Sequence, residues 1–240
     1  NNYSTIIDQK VDDMLIQYNV KYDRISNIAL VTDSIADLPK NYMDNNQINM
    51  IPINLVVDQT NYLDKVTVTS DNFYDLVDEA EEYPTSAQPS VKTVEDKLSF
   101  LADHYEGIIV ITVSSNLSGT YDSVQRAAEN IQNGTKITII DSKLDSGAQG
   151  LLVMEAAEKI KEGWDYQEIV DYIENIKHNM YIYVSVDNFE YMVRGGRVSP
   201  LKGKLAGLLN LKPIVSLDEE GNGIAFAKAF SKRGNNKKIK

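Results

Sequence analysis

The chemistry that this chain can offer is concentrated in hydroxyl groups. Ser114-Ser115-Asn116-Leu117-Ser118-Gly119-Thr120-Tyr121 follows the apolar run 107–113 and precedes a pattern in which Val124, Ala127, Ala128 and Ile131 share one helical face. A buried strand therefore opens, through a small polar loop, onto the first turn of a helix. Backbone N–H groups and the positive dipole end of such a turn favour an anion, and serine and threonine hydroxyls can donate to the same anion. The plainer alternative makes Ser118 an N-cap and the other hydroxyls loop filler. Similar polar groups follow two other apolar runs, as Asp33-Ser34 and Asp141-Ser142, and the loop 83–90 adds Thr85 and Ser86. Ligands of open parallel sheets sit beyond the carboxyl ends of the strands, where these clusters would fall. Asp33 and Asp141 would repel a carboxylate, so we assign them to holding loops. Two glycines before Arg197 make a turn that can bring its guanidinium to a ligand or a partner, the alternative being a solvated arginine.

Other chemistries find little support. There are two histidines, His104 at the end of a helical pattern and His178 at a helix–strand turn, and both read as surface residues. Neither has metal-ligand spacing to a second ligand. A Gly-x-Ser-x-Gly elbow and a phosphate-binding Gly-x-x-x-x-Gly-Lys-Ser/Thr loop are both missing, which argues against Ser-His-Asp hydrolysis and a nucleotide P-loop. No cysteine is present, so disulfides and thiolate sites are excluded. We expect no metal and no cofactor.

The elements that must position the hydroxyl loops can be read in order. Residues 4–24 suggest an amphipathic helix ahead of the first strand, 28–31. A helix is expected over 37–45 with Pro39 in its first turn, then a strand over 51–57 and a turn over 58–62. Helical patterns follow at 72–80 and 90–104, separated by the 83–90 loop. Strand 107–113, helix 121–132, strand 136–140 and helix 147–161 come next, and Asp165 with Glu168 forms a capping-box start for a further helix. This alternation argues for parallel βαβ units. After about residue 177 the character changes: 180–186 is β-rich, and 211–230 reads as a hairpin around a glycine-containing turn. We therefore expect an α/β fold, with an N-terminal extension or linker helix over 1–27. A parallel-sheet domain with helices on both faces would span 28–177, and a second α/β subdomain over 178–240 would be incomplete at Lys240.

Composition bounds the partners. A formal net charge of −11 over 240 residues disfavours nucleic acid and anionic membrane surfaces. No apolar run reaches membrane-spanning length. The missing cysteines suit a reducing cytosol, and a cytoplasmic protein is expected. Neither a starting Met nor a signal-peptide pattern opens the chain, which reads as a piece of something longer.

Taken together, these motifs resemble the DegV family of bacterial fatty-acid-binding proteins. The resemblance rests on Val31-Thr32-Asp33-Ser34, the Pro84–Ser90 loop, Ser114–Tyr121, Asp141-Ser142-Lys143, Gly195-Gly196-Arg197 and 208–213, in the family's order from about residue 28 to 230. It implies one long-chain fatty acid held between an α/β domain and a second domain, with no chemistry done by the binder and no cofactor. The resemblance places the carboxylate on Thr85 or Ser86 and on Ser118 and Gly119, with Ser114 or Ser115 as neighbours. Some members present the acyl carboxylate to a fatty-acid kinase, and Arg197 would then contact the kinase or the phosphoryl group. Ala87 stands where the family often has Ser, which shifts the hydroxyl contact to Ser86. The chain also stops where the family continues for several dozen residues that help close the tunnel. Residues 1–27 would lie outside the family core, as the end of a fused module such as a dihydroxyacetone-kinase-like domain. Two alternatives remain open: a phosphosugar- or phosphate-binding regulatory domain, which needs a small polar pocket, and a protein-interaction module in which the hydroxyls are only caps.

Overall fold

The computed structural model describes residues 24–186, Met192, Gly195, 212–229 and Gly234. The expected N-terminal helix, Arg197 and nearly all of the basic tail lie outside the described residues. Four strands form a parallel sheet: β1 (Ile28–Asp33), β2 (Asn49–Ile51), β6 (Gly107–Thr112) and β7 (Lys136–Asp141), in the order β2-β1-β6-β7. Every residue of β6 is buried. A continuous Ile/Val run suits such a strand, because both of its faces are covered.

The two-residue period of the strands divides the core. Leu30, Ile109 and Ile111 face α5 (Ser146–Lys161) and α6 (Tyr166–Ile176), which contribute Leu152, Ala156, Ile169 and Ile173. Ala29, Val31, Ile108 and Val110 face the other way, onto Val94 and Leu98 of α3 (Val91–Ala102) and Val124 and Ala127 of α4 (Thr120–Glu129). Each fully buried Ile, Leu or Val contributes roughly 1.5–3 kcal/mol, so the two layers fix the strand order firmly. Helix starts are set locally: the Ser90 hydroxyl accepts from Thr93 N at 3.1 Å, and Asp165 N donates to Glu168 Oε2 at 3.0 Å. The expected parallel sheet with helices on both faces is therefore present.

Two smaller antiparallel sheets complete the architecture. One orders β4 (Thr60–Leu63), β3 (Asn54–Val57) and β5 (Thr85–Ala87); the other orders β10 (Gly223–Ala229), β9 (Lys212–Leu217) and β8 (Val184–Ser185). Helices α1 (Lys40–Asn45) and α2 (Ser70–Glu79) are the remaining α-helices among the described residues, and no residue of α2 is buried.

Several local expectations are corrected. Residues 51–57 are not one strand: Pro52, which has no N–H to donate, separates β2 from β3, and the two join different sheets. The turn after β3 is only Asp58-Gln59, with φ of 47° and 67°, the left-handed pair that a tight hairpin needs. The helix expected from residue 37 begins at Lys40, because Asp37 is left-handed at φ 51°. The 83–90 loop contains β5, whose Ser86 pairs with Leu55. The hairpin expected over 211–230 is present, but within 180–186 only Val184 and Ser185 form a strand.

Candidate functional site

The carboxyl ends of β1 and β6 are tied together by a buried acid. Asp33 Oδ2 accepts from Val113 N at 2.7 Å, while Oδ1 accepts from Ile35 N at 3.1 Å and from Gln149 Nε2 at 3.1 Å. Burial pushes the Asp33 carboxyl up to about 6, against the lowering effect of those three donors. Asp141 does the same work at the end of β7. Its Oδ1 accepts from Ser115 N and Lys143 N, each at 3.1 Å, and its Oδ2 takes the Ser115 hydroxyl and the Lys143 ammonium. Burial alone would raise this carboxyl, but the Lys143 contact and the Ser115 hydrogen bonds hold it below the usual carboxylate range. Both acids hold loops, as their position suggests.

The hydroxyl loop itself is a tight turn. Leu117 N and Ser118 N both donate to Ser114 O, at 3.0 and 3.1 Å, so these two N–H groups serve the turn. Ser114 is fully buried and donates through its hydroxyl to Gly221 O at 2.9 Å, while Asn116 Nδ2 donates to Glu220 O at 2.8 Å. The loop is thereby fastened to the β9–β10 turn. Gly221 sits at φ 82°, and a Cβ there would collide with Ser114 Oγ. The N-cap of α4 is Gly119, not Ser118. Ser118 Oγ lies 2.9 Å from Thr120 Oγ1 and accepts from Thr120 N at 3.3 Å. With Thr120 donating, the Ser118 proton is left to point elsewhere.

Elsewhere is a cavity of about 220 Å³. All three sheets wall it. The parallel sheet and its loops supply Ile35, Val113, Leu117, Ser118 and Asp145; the β3–β5 sheet side supplies Ile53, Ser86 and Ala87; the third sheet supplies Val184, 215–217 and Gly223, with Ile182 and Met192 beside it. The lining is mostly hydrocarbon. Ser86 and Ser118, far apart in sequence, are brought to one cavity, whereas Thr85, Ser114, Ser115 and Gly119 do not line it. Gly119 instead packs against the end of the Gln88 side chain, which a Cβ there would displace. His178 is exposed, and His104 Nδ1 pairs with Phe100 O of its own helix at 2.6 Å. Among the described residues no group of three His, Cys, Asp or Glu side chains could hold a metal ion. No described helix is long and apolar enough to cross a membrane.

Sequence reasoning missed Asp145, whose carboxyl is raised by burial and by the like charge of Asp37. It also missed the apolar walls Ile35, Ile53 and Val215. The only signal for Asp145 was its place at the start of α5, which reads as a cap.

Comparison with known proteins bears on the sequence and the fold. Residues 27–240 match the DegV family, described as uncharacterised proteins. A DegV domain-containing protein of Clostridium acetobutylicum is 33% identical over 213 residues, covering 88% of this chain and 75% of that protein. Among solved structures, DegV from Bacillus subtilis, described as a fatty acid binding protein, superposes with a TM-score of 0.82 at 31% identity, covering 89% of this chain and 76% of that one. A DegV family protein from Thermus thermophilus, described by its fatty acid binding, gives 0.80 at 27% identity over 88% of this chain and 75% of its own. Motif order, fold and sequence thus agree, and the chain belongs to the DegV family.

Proposed function

We propose that this chain binds one long-chain fatty acid, with the acyl chain in the apolar cavity and the carboxylate on the Ser86 and Ser118 hydroxyls. The observation that carries the reading is the cavity itself, in which two serines meet walls of Ile, Val, Leu and Met side chains. An ionised carboxylate is an acceptor only, and hydroxyl donors beside the positive end of α4 suit it. Each buried CH₂ contributes about 0.8 kcal/mol, so the chain supplies most of the affinity and the hydroxyls set its direction. Fatty acid binding by the Bacillus subtilis and Thermus thermophilus proteins supports the same assignment. A phosphosugar would need a small polar pocket, which these walls do not make.

In this reading the protein is a cytoplasmic carrier and not an enzyme. Thr85, Ser114, Ser115 and Gly119 shape the two loops around the carboxylate. Presentation of the acid to a fatty-acid kinase, with Arg197 as the contact, extends the proposal, as does a fused dihydroxyacetone-kinase-like module upstream. Native mass spectrometry of the purified protein, with lipid extraction, tests the central claim. A co-purified or added fatty acid should bind in one copy; a protein that neither carries nor takes up any fatty acid would overturn it.

A further inference from the structure

Residues 53–88 leave the parallel sheet after Pro52 and return just before α3. This excursion carries β3, β4, α2 and β5, and it brings Ile53, Ser86 and Ala87 to the cavity. Within it only Val57 and Val68 are buried, and neither belongs to the two core layers of the parallel-sheet domain. A segment that shares so little core has little packing to hold it in place. Asn54 of β3 pairs with Leu63 of β4 on one side and with Ala87 of β5 on the other, so three strand ends meet the domain together. Two of them continue into it along the chain, through Ile53 and Gln88. The β4 edge has no such crossing and reaches the domain through a side chain.

That side chain is Lys65. Its ammonium donates to Ser34 O and to Asp37 Oδ1, the latter at 2.9 Å. The surrounding loop is built to present it: Lys65 N donates to Val68 O and Asp64 N to Ile53 O, each at 3.0 Å. Ser146 Oγ donates to the other Asp37 oxygen at 2.6 Å. Lys65, Asp37 and Ser146 all have left-handed backbones, at φ 62°, 51° and 46°, and such residues persist only where their surroundings hold them. An exposed ion pair would add little, but the Lys65 side chain is only 25% exposed and serves a backbone carbonyl as well. Ile35 lies between the two residues that Lys65 holds, and Ile53 N donates to Ser34 Oγ at 3.2 Å. Lys65 therefore acts where two walls of the cavity meet.

We propose that residues 53–88 are a flap over the cavity and that Lys65 is its latch, a positioning residue that must let go before the acyl chain enters or leaves. The proposal rests on the fatty-acid reading of the same cavity. With Lys65 seated, the β4 edge is fastened to the 34–37 turn. Once it is released, that edge is free to lift and takes Ile53 with it through the bond from Asp64 N. Ile53 then parts from Ile35, and the apolar cavity opens along that seam. The flap's small core and its hairpin hydrogen bonds stay intact, so opening costs the latch and little else. Entry and release both pass through the open form, so the latch sets both rates.

The test is stopped-flow exchange of a fluorescent long-chain fatty acid on the delipidated protein. Lys65→Met keeps the apolar stem and loses the charge, whereas Lys65→Arg keeps the charge. Association and dissociation should both quicken about ten-fold in Lys65→Met, the scale of a hydrogen bond to a charged group, while affinity changes less than either rate. Lys65→Arg should exchange at close to the native rates. Without ligand, hydrogen exchange at Ile53 N should also quicken in Lys65→Met, and the amides of β6 should keep their protection. Native rates in Lys65→Met would overturn the proposal without touching the fatty-acid reading. So would faster dissociation alone, which marks a lost contact and not a gate. Failure of the unaltered protein to bind any fatty acid would overturn the two together.

Discussion

Asp33 and Val113, 80 residues apart in sequence, are joined by a 2.7 Å hydrogen bond from the Val113 backbone N–H to the buried carboxylate. Two further donors, Ile35 N and Gln149 Nε2, converge on the other oxygen. The bond sets the spacing of the β1 and β6 ends, and Ile35 and Val113 then both wall the cavity.

This arrangement predicts an acid-side pH dependence. Burial raises the folded carboxyl from 3.8 to about 6. Between those values the folded chain keeps a proton that the unfolded chain has released, so stability falls as pH rises through the window and is level above it. The two-unit difference corresponds to about 3 kcal/mol. Urea titrations of the native protein and Asp33→Asn from pH 4 to 7 isolate this group. The stability advantage of the native protein should shrink as pH rises, and a constant difference would refute the assignment. The amide of Asp33→Asn also turns an NH₂ towards existing donors, so the variant should be destabilised at the acid end by about 1–3 kcal/mol.

The two serines that share the cavity predict a loss of affinity without a loss of fold. Ser118 is half-buried and Ser86 of β5 pairs with Leu55 of β3, and neither side chain belongs to the apolar core. The double variant Ser86→Ala, Ser118→Ala should weaken fatty acid binding at least ten-fold, on the order of one hydrogen bond to a charged group. Its thermal midpoint without ligand should stay close to that of the native protein. Unchanged affinity, read by displacement of a fluorescent fatty acid, would remove both hydroxyls from the site.

Ser114 predicts the opposite balance. Its hydroxyl is fully buried on Gly221 O and does not line the cavity. Ser114→Ala leaves that carbonyl without its donor and loosens the hydroxyl loop from the β9–β10 turn. Stability should fall by about 1–3 kcal/mol. Affinity measured on the folded fraction should fall less than in the double variant, and a larger drop in affinity than in stability would place Ser114 on the ligand.

The contrast between Ser114 and Ser118 marks how far sequence could reach. Apolar runs and helical spacing made the parallel sheet legible, because β1 and β6 are covered on both faces and β-branched residues fill them. The hydroxyl groups after β1, β6 and β7 were legible as a set, since each follows a strand end, whereas Ser86 lies within β5 itself. Which hydroxyl faces the cavity was not, because Ser114, Ser115 and Ser118 differ only in their hydrogen-bond partners: Gly221, Asp141 and Thr120. Only the first two lie across other elements, and no local pattern announces them. The split at Pro52 was hidden for a related reason. Residues 51–57 are uniformly strand-like, and their assignment to two sheets depends on what lies beside them. Asp145 was hidden by its own ordinariness, since an acid before a helix reads as a cap until the missing bond is seen.

Gly150 carries the last prediction. It lies in the first turns of α5, and a Cβ there would collide with the backbone oxygen of Ala36 and press on Leu38 Cδ2. The helix can therefore approach the turn after β1 only because this residue has no side chain. Backbone cannot rotate away as a side chain can, so Gly150→Ala must push α5 and the 34–36 turn apart. Overpacking of this kind costs about 1–3 kcal/mol, which for a chain of this size lowers the thermal midpoint by roughly 2–12 °C. Ile35 sits in the displaced turn and walls the cavity, and so does Asp145 at the N-cap of the displaced helix. The variant should therefore lose affinity for fatty acid as well as stability. A substitution on an open surface, such as Gly147→Ala, meets nothing within 4 Å and should change neither. Equal behaviour of the two variants in a thermal shift assay, with and without fatty acid, would show that the close contact of α5 with this turn does not shape the site.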